Sequence, residues 1–464
     1  MDDKAETVRL QPVSDSAESS SPIPTKEETE EEYDPHLHRQ LSKPTNNIET
    51  LVHLLKCSLG TGILAMPQAF ARAGLVTGII ATVLVGILVT HCLHVLVRSQ
   101  YAACKHLRVP LLSYPESVAT ALGCGPHALR RFARPAALAV DIFLVVYQLG
   151  ICCVYIVFIA DNIKKVTDSY YVMAAEIHML IILGPLIAFN LIPSLKLLAP
   201  FSALANVMTF VGLGIVIYYL VIGKKASAQD MPLDLWGSIE TFPLFFGTVL
   251  FALTAVGVVI ALENNMKTPK AFGKPCGVLN VGMTIIVLLY VAVGALGYVY
   301  CVSDCRDSIT LDLPEKDPLA TSVMVIFAIA IFISYGLHCY VPVEVLWKGY
   351  LLPKLEGSSA QKVRLYEYAL RVALCLLTFV LAVAVPRLGL FISLFGALCL
   401  SALGICFPAL MEVCVTFPQR ASAARSILFG KDAILFIIGV IGLLAGTYTA
   451  LDSIIRSFSS TANA

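Results

Sequence analysis

From about Leu51 onward the chain is a succession of apolar stretches, each about 20 residues long, the length needed to cross a bilayer core. Short connections rich in Pro, Gly, Lys and Asp separate them. Eleven can be read, at roughly 50–72, 75–97, 137–162, 173–192, 199–222, 241–262, 277–300, 318–341, 366–386, 389–411 and 432–452. Backbone in lipid must satisfy its own hydrogen bonds, so each stretch is expected to be a helix. The short alternating strands of a membrane barrel are absent from the pattern. The expectation is therefore an all-α integral membrane protein with eleven transmembrane helices spanning residues 47–452. Residues 108–135 are too polar to cross and too apolar to float, which suits a short amphipathic segment at the membrane surface.

The ends of the chain read differently. Residues 1–46 are polar and acidic, with glutamates at 27, 28 and 30–32, and are expected to form a disordered tail. Residues 453–464 make a short tail at the other end. No basic segment followed by a short apolar run opens the chain, so no cleaved signal peptide is expected.

Composition agrees with the pattern. Hydrophobic residues make up 57% and charged residues 14%, against about 25% charged in soluble domains. A net charge of +1 with no concentrated basic face argues against nucleic acid as a partner. Lipid is the expected surrounding. Lys and Arg collect in alternate connections: seventeen fall on the side that holds the amino terminus and nine on the other. By the positive-inside rule the amino terminus is cytoplasmic, and eleven spans then put the carboxyl end outside or in a lumen.

Most of the fourteen cysteines lie within apolar runs and behave as small hydrophobes. Cys301 and Cys305 lie in a polar connection and form a disulfide if that loop meets an oxidising compartment, or stay as two thiols if not. His91 and His94 share a face without a third ligand, so no metal site is expected. No nucleotide loop, nucleophile triad or redox motif points to an enzyme, and no cofactor is called for.

Two spans carry helix-breaking residues at mid-membrane: Gly60, Thr61 and Gly62 followed by Pro67 in the first, and Gly247, Thr248, Thr254 and Gly257 in the sixth. Such interruptions free amides for an anionic group and carbonyls for a cation, and an α-amino acid carries both charges. Small residues also serve simple close packing. Their positions as first helices of two five-helix halves favour the binding reading. His53, seven residues before Gly60 on the same face, suits proton transfer near neutral pH, or an inert place at the interface.

These residues resemble the proton-coupled amino acid transporter family of the amino acid/auxin permease group. The likeness runs from about residue 50 to 452. It rests on HLLK at 53–56, GTGILAMP at 60–67, QLGICCVYIVFIADN at 148–162, GTVLFALTAVGVVIALENNMK at 247–267, DSITLDLP at 307–314, YVPVEV at 340–345 and FPALMEV at 407–413. The resemblance implies a leucine-transporter-type fold, two inverted five-helix repeats and an eleventh helix. It implies small or neutral amino acids as substrates, often moved with protons. Gly60, Thr61 and Gly62 would then meet the substrate carboxylate, Phe251 and Thr254 would line the opposite wall, and His53 would serve proton coupling. Thr254-Ala255 stands where members commonly carry Glu-Gly, which removes a carboxylate from the site. An amino acid sensor that signals through the tail, or an uncoupled facilitator, are the alternative readings. Plasma membrane and endolysosomal membranes both fit.

Overall fold

The computed structural model describes residues 33–39, 41, 44–192, 195–223, 233–254, 256–302, 304–314, 317–355, 357–385, 387–417 and 422–462. The chain is helical almost throughout. Its α-helices are α1 (Asn47–Ser58), α2 (Thr61–Leu64), α3 (Met66–Ala73), α4 (Leu75–Leu107), α5 (Tyr114–Cys124), α6 (His127–Arg130), α7 (Ala133–Thr167), α8 (Ala175–Asn190) and α9 (Leu195–Ile222). There follow α10 (Phe242–Leu253), α11 (Val256–Asn264), α12 (Val278–Cys301), α13 (Pro318–Leu346), α14 (Ala360–Ala384), α15 (Leu388–Phe395), α16 (Phe407–Thr416) and α17 (Ser422–Ala462). Nine helical stretches among the described residues are long and apolar enough to cross a membrane. The length criterion leaves out α8, at 16 residues, and the interrupted segment α1–α3. Two π-helical turns, Gly396–Leu400 and Ala402–Cys406, join α15 to α16.

The two interrupted spans sit at the centre. Their halves pack on each other and on α7 and α12, while α4, α14 and α17 turn apolar faces outward. Leu84, Ile87, Val380, Ile441 and Leu444 are among the large apolar side chains left exposed. A surface of that kind is stable only against lipid. The segment expected at the membrane surface forms the short helices α5 and α6, with α5 capped reciprocally by Ser113 and Glu116.

Part of the expected tail is structured. Residues 1–32 lie outside the described residues, but 33–39 and 44–46 run as a strap across the turn that follows α11. Arg39 makes a two-pronged contact with the Glu263 carboxylate at 3.2 and 3.0 Å and donates to the Glu263 carbonyl at 3.2 Å. His36 Nε2 lies 3.1 Å from the same carboxylate. The Thr45 amide donates to the Asn265 carbonyl, and the Lys267 amide donates to the Thr45 carbonyl, both at 2.9 Å, a bridge of parallel type. Asp34 pairs with Lys270 at 2.8 Å. The disorder expected from low hydropathy fails here because buried ion pairing and backbone hydrogen bonds replace apolar burial. At the other terminus, α17 continues to Ala462, so most of the expected 453–464 tail extends a helix.

The candidate solute site

The first interruption follows from its sequence. At α1's end the Leu59 amide still donates to the Leu55 carbonyl at 3.0 Å, and then the chain turns extended. Gly60, at φ −129° and ψ −150°, leads into α2. The first amides of a helix have no partner within it, so those of Thr61 and Gly62 face the gap. Gly62 also needs its small size: a Cβ there would lie 2.9 Å from the Ala252 Cα. That close approach of α2 to α10 brings the two interruptions together. In the sixth span α10 ends at Leu253, and Thr254 is extended at φ −96° and ψ 107° before α11 begins. Ala255 lies outside the described residues. The Thr254 hydroxyl oxygen is buried without a hydrogen-bond partner among the described residues, a costly state that a bound polar group would relieve.

An inner cavity of about 50 Å³ lies between the interruptions, and Gly60, Thr61, Gly62, Phe251 and Thr254 all line it. The structure thus brings together every substrate-binding candidate from the sequence. It adds Tyr147, Tyr155, Tyr290 and His338, which the sequence reading did not single out. The Tyr290 hydroxyl donates to the Ser58 carbonyl and pins the end of α1. Tyr147 meets the Phe251 ring edge to face at 6.1 Å, and Tyr155 meets the His338 ring at 5.3 Å. Among the described residues, no acidic or basic side chain other than His338 lines this cavity. His53 is not brought in: it is exposed on α1 and lines neither this cavity nor the next. An ionisable group inside a span was the signal that flagged His53, and the same signal marks His338.

The inner cavity shares Cys57, Gly60, Tyr155 and His338 with a vestibule of about 280 Å³. The vestibule runs between α1, α9 and α13, past Ser202, Asn206 and Val341, toward the end of the molecule where α1 begins. Lys56 reaches across it to donate to the Ser202 hydroxyl at 3.2 Å. The opposite end is sealed. There the connection from α12 to α13 folds over the site as a lid with a buried turn at Ile309–Asp312. The Asp307 carboxylate accepts from the Gln68 side-chain amide and from the Gly389 amide at 3.0 Å. Lys165 donates to the carbonyls of Leu311 and Leu313. Cys301 and Cys305 are joined at the lid's base, with Cα atoms 5.0 Å apart. Beyond the lid lies a polar basin of about 710 Å³ lined by Asp161, Lys164, Asp168 and Arg387. The Lys164 ammonium, 2.5 Å away, holds the Asp168 carboxyl below the usual carboxylate range.

A helical membrane protein with paired interrupted spans around a small inner cavity that leads through a vestibule toward one end has the build of a solute transporter. The chain belongs to the family described as transmembrane amino acid transporter protein, whose model it matches over residues 43–451. It is 38% identical over 450 residues to the proton-coupled amino acid transporter-like protein pathetic of Drosophila melanogaster, covering 95% of this chain and 93% of that one. It is 26% identical over 421 residues to amino acid transporter AVT3A of Arabidopsis thaliana, covering 88% and 90%. Among solved structures, the inward-facing conformation of Mhp1, a protein of leucine-transporter-like fold, matches with a TM-score of 0.52, 12% identity and 92% of each chain covered.

Proposed function

We propose that this protein is a secondary active transporter of small or neutral amino acids, working by alternating access with proton symport. The observation that carries the substrate class is the lining of the inner cavity, which holds freed backbone and hydroxyls but no fixed charge apart from the titratable His338. A substrate with net charge would meet no counter-charge there, and a zwitterion brings its own. The amides of Thr61 and Gly62 suit its carboxylate, Thr254 offers a hydroxyl to the ammonium, and Phe251 limits the side chain. His53 is proposed to assist proton exchange from the exposed face of α1.

The α8 helix and the interrupted α1–α3 segment, added to the nine long stretches, give the eleven spans of the proposed topology. The amino terminus and the vestibule are then cytoplasmic, and the lid faces outside or a lumen, at the plasma membrane or an endolysosomal membrane. Uptake of radiolabelled alanine, glycine and proline at mildly acidic and neutral external pH tests this reading. Saturable uptake stimulated by acid, with arginine and glutamate competing poorly, is the expected result. Arginine transported as well as alanine would overturn the substrate class.

A further inference from the structure

We propose that His338 is the group that carries the proton through this site. The inference deepens the transport reading above and rests on it. Its ring geometry supplies the first argument. Nδ1 lies 3.1 Å from the Ser334 carbonyl, one helical turn earlier on α13. A carbonyl only accepts, so Nδ1 carries the hydrogen whatever the charge of the ring. Nε2 is left as the ring's exchangeable position, and no hydrogen bond to it is found among the described residues. The edge-to-face contact with Tyr155 holds the ring in place.

Position supplies the second argument. His338 lines both the inner cavity and the vestibule, at their junction. The titratable and charged groups that line these cavities with it are Tyr147 and Tyr155 from α7, Tyr290 from α12, and Lys56 and Cys57 from α1, while α9 presents Ser202, Asn206 and Thr209. Among the described residues no carboxylate lines either cavity. On the α14 side, Arg371 is engaged by Glu367 and lies over the Tyr340 ring. Of the facing groups only the imidazole has an ordinary pKa between about 5 and 8.

The step is a simple acid–base exchange. The Nε2 lone pair takes a proton from hydronium on the acidic side, leaving water, and the imidazolium becomes a donor beside the carbonyl end of α1, where a cation is favoured. A substrate carboxylate held at the start of α2 stabilises that imidazolium, and the imidazolium strengthens the carboxylate's binding. Proton and zwitterion therefore bind together. When the substrate leaves through the vestibule its support is lost, and Nε2 returns the proton to water. The cavity needs no carboxylate at Thr254 for this to work.

The test compares full-length wild type and His338→Gln in proteoliposomes, with radiolabelled alanine as the probe. Three readouts are taken: KM against external pH, proton movement with a trapped dye, and alanine counterflow at equal pH. In wild type, KM should fall several-fold from neutral to mildly acidic pH. The glutamine variant should show a flat KM profile and no alanine-driven proton flux, with counterflow surviving though slowed a few-fold. A variant that keeps the wild-type profile and flux overturns the assignment, as does wild-type uptake that ignores pH. Loss of counterflow in a variant reconstituted in normal amount also overturns it, because the role is then structural. Wild type without counterflow of any neutral amino acid overturns the transport reading itself.

Discussion

The two ends of the molecule are held by different chemistry. At the lid, Asp307 gathers Gln68 and the Gly389 amide, and Lys165 tethers two carbonyls; each contact joins a side chain to a neighbour across a polar basin. At the strap, Arg39 and Glu263 are both 5% exposed and joined by two hydrogen bonds, next to a backbone bridge at Thr45. Contacts of the first kind exchange readily with water. Those of the second do not, since opening them strands a charge. The lid is therefore the more labile of the two ends, and the strap ties the start of α1 to the turn that follows α11.

Arg39→Ala should have the largest effect on this contrast. It leaves Glu263 buried with His36 as its paired group among the described residues and should cost about 3–5 kcal/mol, read as a clear drop in Tm of the detergent-solubilised protein. Arg39→Lys should recover only part, since an ammonium cannot make the two-pronged contact. A Tm unchanged in Arg39→Ala would make the strap as labile as the lid. Next comes Asp307→Asn, which keeps the shape but weakens two charge-assisted hydrogen bonds by about 1–3 kcal/mol in all. A cysteine placed at Tyr155 should then react several-fold faster with an impermeant thiol reagent supplied from the lid side, and Arg39→Ala should not have this effect.

Lys165→Met should act in the same direction by about 1 kcal/mol, and its labelling rate should fall between wild type and Asp307→Asn. The smallest effect concerns pH. The Lys270 contact holds the Asp34 carboxyl below its ordinary range, so its contribution to the strap is fully present above about pH 4 and fades only as pH falls through that lowered value. Hydrogen exchange at the Lys267 amide, corrected for intrinsic rates, should show constant protection from neutral pH down to about 5. Loss of protection near neutral pH would mean that a group other than Asp34 governs the strap.

The helices were legible because lipid imposes a length and a polarity on every span, and the interruptions were legible because glycine and threonine stand out in apolar runs. The cavity wall was less so. Thr254 stood out as part of the sixth-span interruption and Phe251 came through resemblance, but Tyr147, Tyr155 and Tyr290 resemble any aromatic residue of an apolar helix until the packing shows which way they point. His53 and His338 are both histidines within spans, and the sequence reading took up only His53; the rotation of α1 and α13 about their axes puts His53 outside and His338 at the junction of two cavities. The strap escaped because its stability lies in pairing with Glu263 and Asn265, more than two hundred residues away, which local composition cannot express.

The two π turns between α15 and α16 bear on how this chain tolerates insertions and deletions. Each π turn closes its hydrogen bonds one residue later than an α turn, so residues 396–406 hold extra chain within a continuous helix. Removing one residue there can be absorbed by reverting a single π turn to α, leaving the downstream face in register, so that Glu412 still meets Lys431 on α17. The same deletion within α7, which is α-helical from Ala133 to Thr167, has no such slack and turns everything beyond it by about 100°. A scan of single-residue deletions should therefore find function retained within 396–406 and lost in α7, as a length polymorphism confined to one span.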